Sequence, residues 1–259
     1  MMKEGEEQTH GSGVSATVDS QRYLAVVERS EEMERLGAQV SKRKSLLIFG
    51  PEAVGKTRLL KGFLKTQPLA LHVPQVQSPR ELLLGLVENL QSLHLPELNL
   101  PTDPKSLGTA SLKGIVQRAL DQFQFILALD HVCGPSRVVT GMIKDLNYYD
   151  RTPVVLVARS PHMEDIGALQ SMCAGRAERL ELKEFAPPVA LEFAERQARS
   201  AGLEASNLHD VLRSLVRLSN GNPGAIIQMI RMALSPRYRM DGQIKGHVLY
   251  LDYRMGRRD

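Results

Sequence analysis

GPEAVGKT, residues 50–57, follows the apolar run SLLIF (45–49) and precedes KTRLLKGFLKT (56–66), whose spacing predicts a helix. The octapeptide fits the pattern G-x-x-x-x-G-K-[ST] throughout. At an average glycine usage of ~7%, a chance match in a chain of this length is on the order of 1%. Here the match also lies between a predicted strand and a predicted helix. The chemistry behind the pattern is specific. Glycines let successive backbone N–H groups turn inward around phosphate oxygens, and the helix N-terminus adds partial positive charge at the same point. Lys56 then reaches the β- and γ-phosphates, and the Thr57 hydroxyl completes a magnesium shell. Gly50, Pro51, Glu52, Ala53, Val54, Gly55, Lys56, Thr57 and the following Arg58 are therefore the expected nucleotide-binding residues, with ATP and Mg²⁺ as the expected ligands.

Outward from this loop, apolar runs without alternation recur at intervals of a helix length. LALHV (69–73), QFQFILAL around 124–129, PVVLVA (153–158) and RLEL (179–182) read as strands. PRELLLGLVENLQSL (79–93), a segment near 108–122, the stretch after Gly134-Pro135 and the stretch after residue 160 read as helices. This order predicts an α/β fold, a P-loop NTPase parallel sheet flanked by helices. The run before residue 130 ends on Asp130, a carboxylate at a strand tip and the expected second magnesium contact. Arg159 and Ser160 close the next strand and point into the crevice where open α/β sheets bind ligands. Arg159 is the expected γ-phosphate sensor. After Pro187-Pro188 the pattern changes to helices alone, at 188–201, 207–218 and 223–234.

These changes divide the chain into a low-complexity N-terminal segment (1–21) expected to be disordered, a nucleotide-binding domain (22–186), an all-helical lid (187–236) and a basic tail (237–259). Hydrophobic residues at 42% and charged residues at 24% are ordinary for a globular protein. No run approaches ~18 apolar residues, which excludes a membrane-spanning helix. The N-terminus lacks a secretory h-region, so a cytoplasmic location is expected. Cys133 and Cys173 make neither a disulfide framework nor a zinc motif. His72, His94 and His247 are scattered. Met142, Met163, Met172, Met229 and Met232 lie on predicted helices as core filling. Tyr148, Tyr149 and Asp150 read as a loop edge. Of the charges, seven Lys/Arg and three Asp/Glu fall from Arg231 onward, while the preceding 230 residues hold 26 of each. In 245–259, Val248, Leu249, Leu251 and Tyr253 accompany Arg254, Arg257 and Arg258. That mixture predicts docking to a protein partner or self-association, with nucleic acid as a second possibility for a basic end; packing of this last element on its own lid is the alternative.

The order of a Walker A loop, an intervening βα unit, a Walker B carboxylate at Asp130, a polar strand tip and a helical lid resembles the AAA+/STAND group of P-loop ATPases, nearest its origin-recognition-like and signalling branches. VVERSEEMERL (26–36) is similar to the family segment that packs against the adenine, which the resemblance carries to Val27 and Arg29. SNGNPGAI (219–226) resembles the GxP-containing lid segment, with Gly221 and Pro223 in the matching places, and Pro223 is the implied nucleotide contact. Gly221-Asn222-Pro223 also ends one helix and starts the next. Gly224 and Ala225 stand where the family carries a lid arginine. After the Walker B Asp, such enzymes usually place a Glu that deprotonates the attacking water; His131 stands there instead. An imidazole differs in shape and accepts a proton only when neutral, so the expectation is a slow ATPase acting as a nucleotide-dependent switch. A DNA-associated helper ATPase is the alternative, and a small-molecule kinase is more remote.

Overall fold

The computed structural model describes residues 29–147, 151–175 and 178–256. The segment 1–21, Val27, Tyr148, Tyr149, Asp150, Arg257 and Arg258 lie outside the described residues. Five strands, β1 (Leu46–Phe49), β2 (Ala70–Val73), β3 (Ile126–Val132), β4 (Val154–Ala158) and β5 (Arg179–Glu181), form one sheet in the order β2-β3-β4-β1-β5. Every pairing is parallel.

The uniformly apolar strands follow from burial on both faces. Leu46, Ile48, Ile126, Ala128, Val155 and Val157 enter one core with α1 (Ser30–Ser41) and α2 (Lys56–Leu64). Their neighbours Leu47, Leu127, Leu129, Val154 and Leu156 enter the other. That second core is closed by α3 (Pro79–Ser92), α4 (Thr109–Gln122) and α5 (Arg137–Asn147). Each fully buried Leu, Val or Ile contributes about 1.5–3 kcal/mol, so both layers are held by the same term. α3 begins where Ser78 Oγ accepts the Glu81 N–H at 3.2 Å and Pro79 takes the first helical position.

Two predicted elements take a different form. Among the described residues between β4 and β5 the expected helix is a single turn, α6 (Met163–Ile166), which ends at Gly167, whose φ of +54° turns the chain into a 3₁₀ stretch, Gly167–Cys173. Met163, expected in the core, is 60% exposed. β3 continues past residue 129 through Asp130 and His131 to Val132, for a reason that belongs to the site. Cys133 and Cys173 are both free thiols.

The chain forms two compact units, Arg29–Phe185 with Asn222–Gly224, and residues 186–221 with 225–256. The second unit carries α7 (Pro187–Ser200), α8 (Leu208–Leu218) and α9, whose residues run Pro223–Ala233. It is not wholly helical. β6 (Arg239–Met240) and β7 (Gln243–Ile244) form an antiparallel hairpin, turning on Asp241 and Gly242 with φ of +49° and +74°, the left-handed pair that a two-residue hairpin turn needs. Asn207 clamps the hairpin, donating to Ile244 O and accepting from Ile244 N, both at 2.9 Å.

α10 (Gly246–Met255) follows. Leu249 and Tyr253, four apart, are buried, whereas Leu251 is 57% exposed. The apolar residues of the tail therefore do not share one outward face, because i and i+4 fall together on a helix while i+2 lies opposite. Tyr238 Oη and Arg237 both meet the Asp252 carboxylate, at 3.0 and 2.8 Å. Through Met255 the tail thus packs within its own unit, the alternative stated above for this element. Truncation after Ile244 should lower the melting temperature by on the order of 10 °C, since two large buried side chains are lost. A melting curve by circular dichroism that matches the full chain would contradict this packing.

Candidate nucleotide site

The phosphate loop is wedged into the sheet at its base. Gly50 follows β1 with φ of +147°, and a Cβ there would stand 2.2 Å from Leu182 O. Leu182 N–H donates to Phe49 O at 2.7 Å, and Gly50 N–H donates to Arg159 O at 3.2 Å. The loop thus leaves β1 between the ends of β4 and β5, with room for glycine alone. Further along, Ala53 and Gly55 take φ of +60° and +104°, and Gly55 is the N-cap of α2. Ala53 and Gly55, left-handed on either side of Val54, give the alternation that turns backbone N–H groups to one side as an anion-binding nest. Val54 is buried and anchors the loop between them.

Lys56 opens α2. Its ammonium donates to Gly50 O at 2.8 Å and Pro51 O at 2.7 Å, folding back over the loop. Burial pushes the Lys56 ammonium below the ordinary lysine value; the charges of Asp130, Glu52 and Asp165 oppose this, and Arg159 adds to it. Asp130 and Arg159, far apart from Lys56 in sequence, are thus near enough for their charges to act on its ammonium. Thr57 follows in the first turn of α2, and Arg58 one residue on; both are half-buried.

Asp130 continues the face of Ile126 and Ala128, which looks toward α2. Its carboxylate is 1% exposed, and Oδ1 accepts the His131 N–H at 2.9 Å. A carboxylate this buried needs compensation by hydrogen bonds or a cation. The strand is bulged here. Leu129 pairs with Leu156 and Val132 with Ala158, so β3 uses three residues where β4 uses two. The extra residue is accommodated by His131 in a left-handed conformation, φ +49°. Bulges re-aim a side chain and are common beside active sites. His131 is 69% exposed, and its Nε2 lies 3.9 Å from Asp130 Oδ2, beyond hydrogen-bond reach.

Arg29 is 7% exposed and its guanidinium is taken up by protein. It pairs with Glu32 at 2.8 Å, donates to Lys183 O at 2.6 Å and Val54 O at 3.3 Å, and stacks 4.5 Å over the Phe185 ring. Its visible role is to fix the loop through Val54. A buried arginine so engaged meets the requirement that a buried charge be paired.

Asn222–Gly224 belongs to the same unit as the loop. Asn222 Nδ2 donates to Glu52 O at 2.9 Å, and Gly224 N–H donates to Ala53 O at 3.0 Å. A Cβ at Gly224 would meet Ala53 Cβ at 2.5 Å. That contact explains why no charged residue occupies the position. Pro223 lies between the two bonds, beside the loop tip. Asn222 and Gly224 were not recoverable as loop contacts from spacing, because they lie 170 residues from their partners.

His72 is a further residue that spacing does not single out. Burial pushes its imidazole below the ordinary histidine value; the Asp130 charge opposes this and Lys61 adds to it.

These groups fit Mg·ATP. The loop supplies N–H groups of the right conformation, Lys56 a cation, and Thr57 with buried Asp130 an oxygen donor set. Among the described residues no group of three or more His, Cys, Asp or Glu is arranged to hold a metal.

No family model and no curated protein matches the chain. Solved structures do. A Walker-type ATPase of Pyrococcus abyssi is 19% identical with a TM-score of 0.59, over 88% of this chain and 72% of that one. The ORC1 protein of Aeropyrum pernix, solved in complex with DNA, is 14% identical with a TM-score of 0.63, over 91% and 69%. A STAND protein of Pyrococcus horikoshii with a tetratricopeptide-repeat sensor is 13% identical with a TM-score of 0.51, over 88% and 32%. The likeness is one of fold: this chain shares with these ATPase structures a parallel sheet flanked by helices, entered by a phosphate loop after its first strand. Among the described residues no helix is long and apolar enough to cross a membrane.

Proposed function

We propose that this chain binds Mg·ATP in the loop 50–57, hydrolyses it slowly, and serves as a nucleotide-dependent switch for a protein partner in the cytoplasm. Thr57 and Asp130 hold the metal, Lys56 spans the β- and γ-phosphates, and Arg159 senses the γ-phosphate. The resemblance assigns Val27, Arg29 and Pro223 to the adenine end. Bound magnesium supplies charge neutralisation at the phosphates. The single observation that carries the slow rate is the bulge at Asp130-His131. It leaves His131 exposed with Nε2 3.9 Å from Asp130 Oδ2, so a base is not positioned where hydrolysis needs one.

The switch reading rests on the two bonds from Glu52 O and Ala53 O to Asn222 and Gly224. Any rearrangement of the loop tip on phosphate binding is felt at the first turn of α9, which then continues along the chain. Hydrogen exchange in the presence of Mg·ATP should therefore slow both in the loop and at the start of α9. Protection confined to residues 50–57 would argue for simple binding without a switch. The alternative, a DNA-associated ATPase, is favoured by Arg217, Lys245, His247 and Arg254 in the second unit and by the likeness to an ORC1 protein solved with DNA. ATP-dependent DNA binding whose log affinity falls steeply with log salt would select it.

A further inference from the structure

β2 is an edge strand of the sheet, next to β3. In that ladder His72 is the partner of Ala128, so the two side chains leave the sheet on one face. Ala70 and Ala128 share that face with α2, and Asp130 follows Ala128 with the strand period of two. Along α2, Thr57 and Lys61 are one turn apart. The register thus sets His72 on the face of Ala128 and α2, where the charges of Asp130 and Lys61 act on its ring.

Two observations set this histidine apart from core filling. Its main chain is clamped from the open edge of the sheet: Asn89 Oδ1 accepts the His72 N–H at 3.0 Å, and Asn89 Nδ2 donates to His72 O at 3.1 Å. Asn89 is itself tied to Gly85 O at 2.7 Å. The backbone groups that an edge strand leaves unpaired are thus used to hold one residue in place. Secondly, Nε2 is buried and has no hydrogen-bond partner among the described residues. A buried polar atom without a partner costs stability, and such atoms in folded proteins call for a functional or ligand explanation.

We propose that His72 is a positioning residue of the nucleotide site, its Nε2 hydrogen-bonded to a water in the shell of the magnesium that Asp130 and Thr57 hold. The proposal rests on the Mg·ATP reading above. His72 touches neither ATP nor the metal; it acts by orienting a water whose other partners are the ion and the Asp130 carboxylate. Groups of this kind typically alter metal affinity without being ligands.

Calorimetric titration with ATP, once with Mg²⁺ and once with EDTA, tests the role. His72→Leu should weaken Mg·ATP binding about tenfold or more and leave metal-free ATP binding unchanged. Its melting temperature without ligand should stay level or rise, because an unpartnered polar atom has been removed. His72→Gln, which can still hydrogen-bond, should recover most of the Mg·ATP affinity. If the leucine variant fails to fold, His72→Met serves in its place. Wild-type Mg·ATP affinity in the apolar variant, or an equal loss with and without Mg²⁺, would overturn the assignment of His72 and leave the nucleotide site standing. A wild-type protein that binds ATP in neither buffer would overturn the nucleotide reading beneath it.

Discussion

Lys56→Ala should reduce ATP affinity by ~10²–10⁴-fold, the equivalent of two charge-assisted hydrogen bonds of about 1.5–3 kcal/mol each. The reason lies in the geometry of the loop. The nest at Gly50, Ala53 and Gly55 supplies fixed N–H donors, but a mobile cation able to follow the β- and γ-phosphates comes from Lys56. Its ammonium already lies across the loop, on Gly50 O and Pro51 O. Alanine at this position keeps the first turn of α2, because alanine is the best helix former. Circular dichroism should accordingly be unchanged while calorimetry detects little or no binding. Wild-type affinity in this variant would show that the loop is not the nucleotide site.

His131→Glu should raise the turnover number about tenfold or more, toward the 10²–10⁴-fold that a positioned base contributes. His131→Ala should change it little. Full gain is not expected, because residue 131 is left-handed at the bulge, and glutamate adopts that conformation less readily than histidine. Steady-state phosphate release by the three proteins at saturating Mg·ATP measures the effect. A histidine acting as the base would reverse the order: alanine would abolish turnover.

The glycine pattern, the carboxylate closing an apolar run and the non-alternating strands were legible in the chain because each is local. The loop 50–57 sits where its flanking segments place it, between β1 and α2. Asp130 lies at the carboxyl end of β3 as its apolar run implies. What the chain did not disclose depends on distant partners. The bulge at His131 is a mismatch of register with β4, and no feature of residues 126–132 alone records it. The resemblance carries Arg29 to the adenine-packing segment, yet its guanidinium is held by Lys183 O and Val54 O. Gly224 stands where the resemblance carries a lid arginine, and only the approach of Ala53 shows why a side chain is excluded there. The hairpin at Asp241-Gly242 carries a recognised turn pair, but strands of two residues are too short to show a period of two. In the tail, Leu249, Leu251 and Tyr253 are close in sequence, and only the helix shows that Leu251 lies opposite the other two.

The account stands or falls on what happens to ATP once bound. A single-turnover experiment, with wild-type protein in excess over γ-labelled ATP and Mg²⁺, follows the fate of the nucleotide directly. The predicted result is ATP that stays bound and intact for minutes, far slower than the ~10 s⁻¹ at which a typical enzyme turns over. Phosphate released within a second, and lost in His131→Ala, would contradict a loop that holds its nucleotide as a switch.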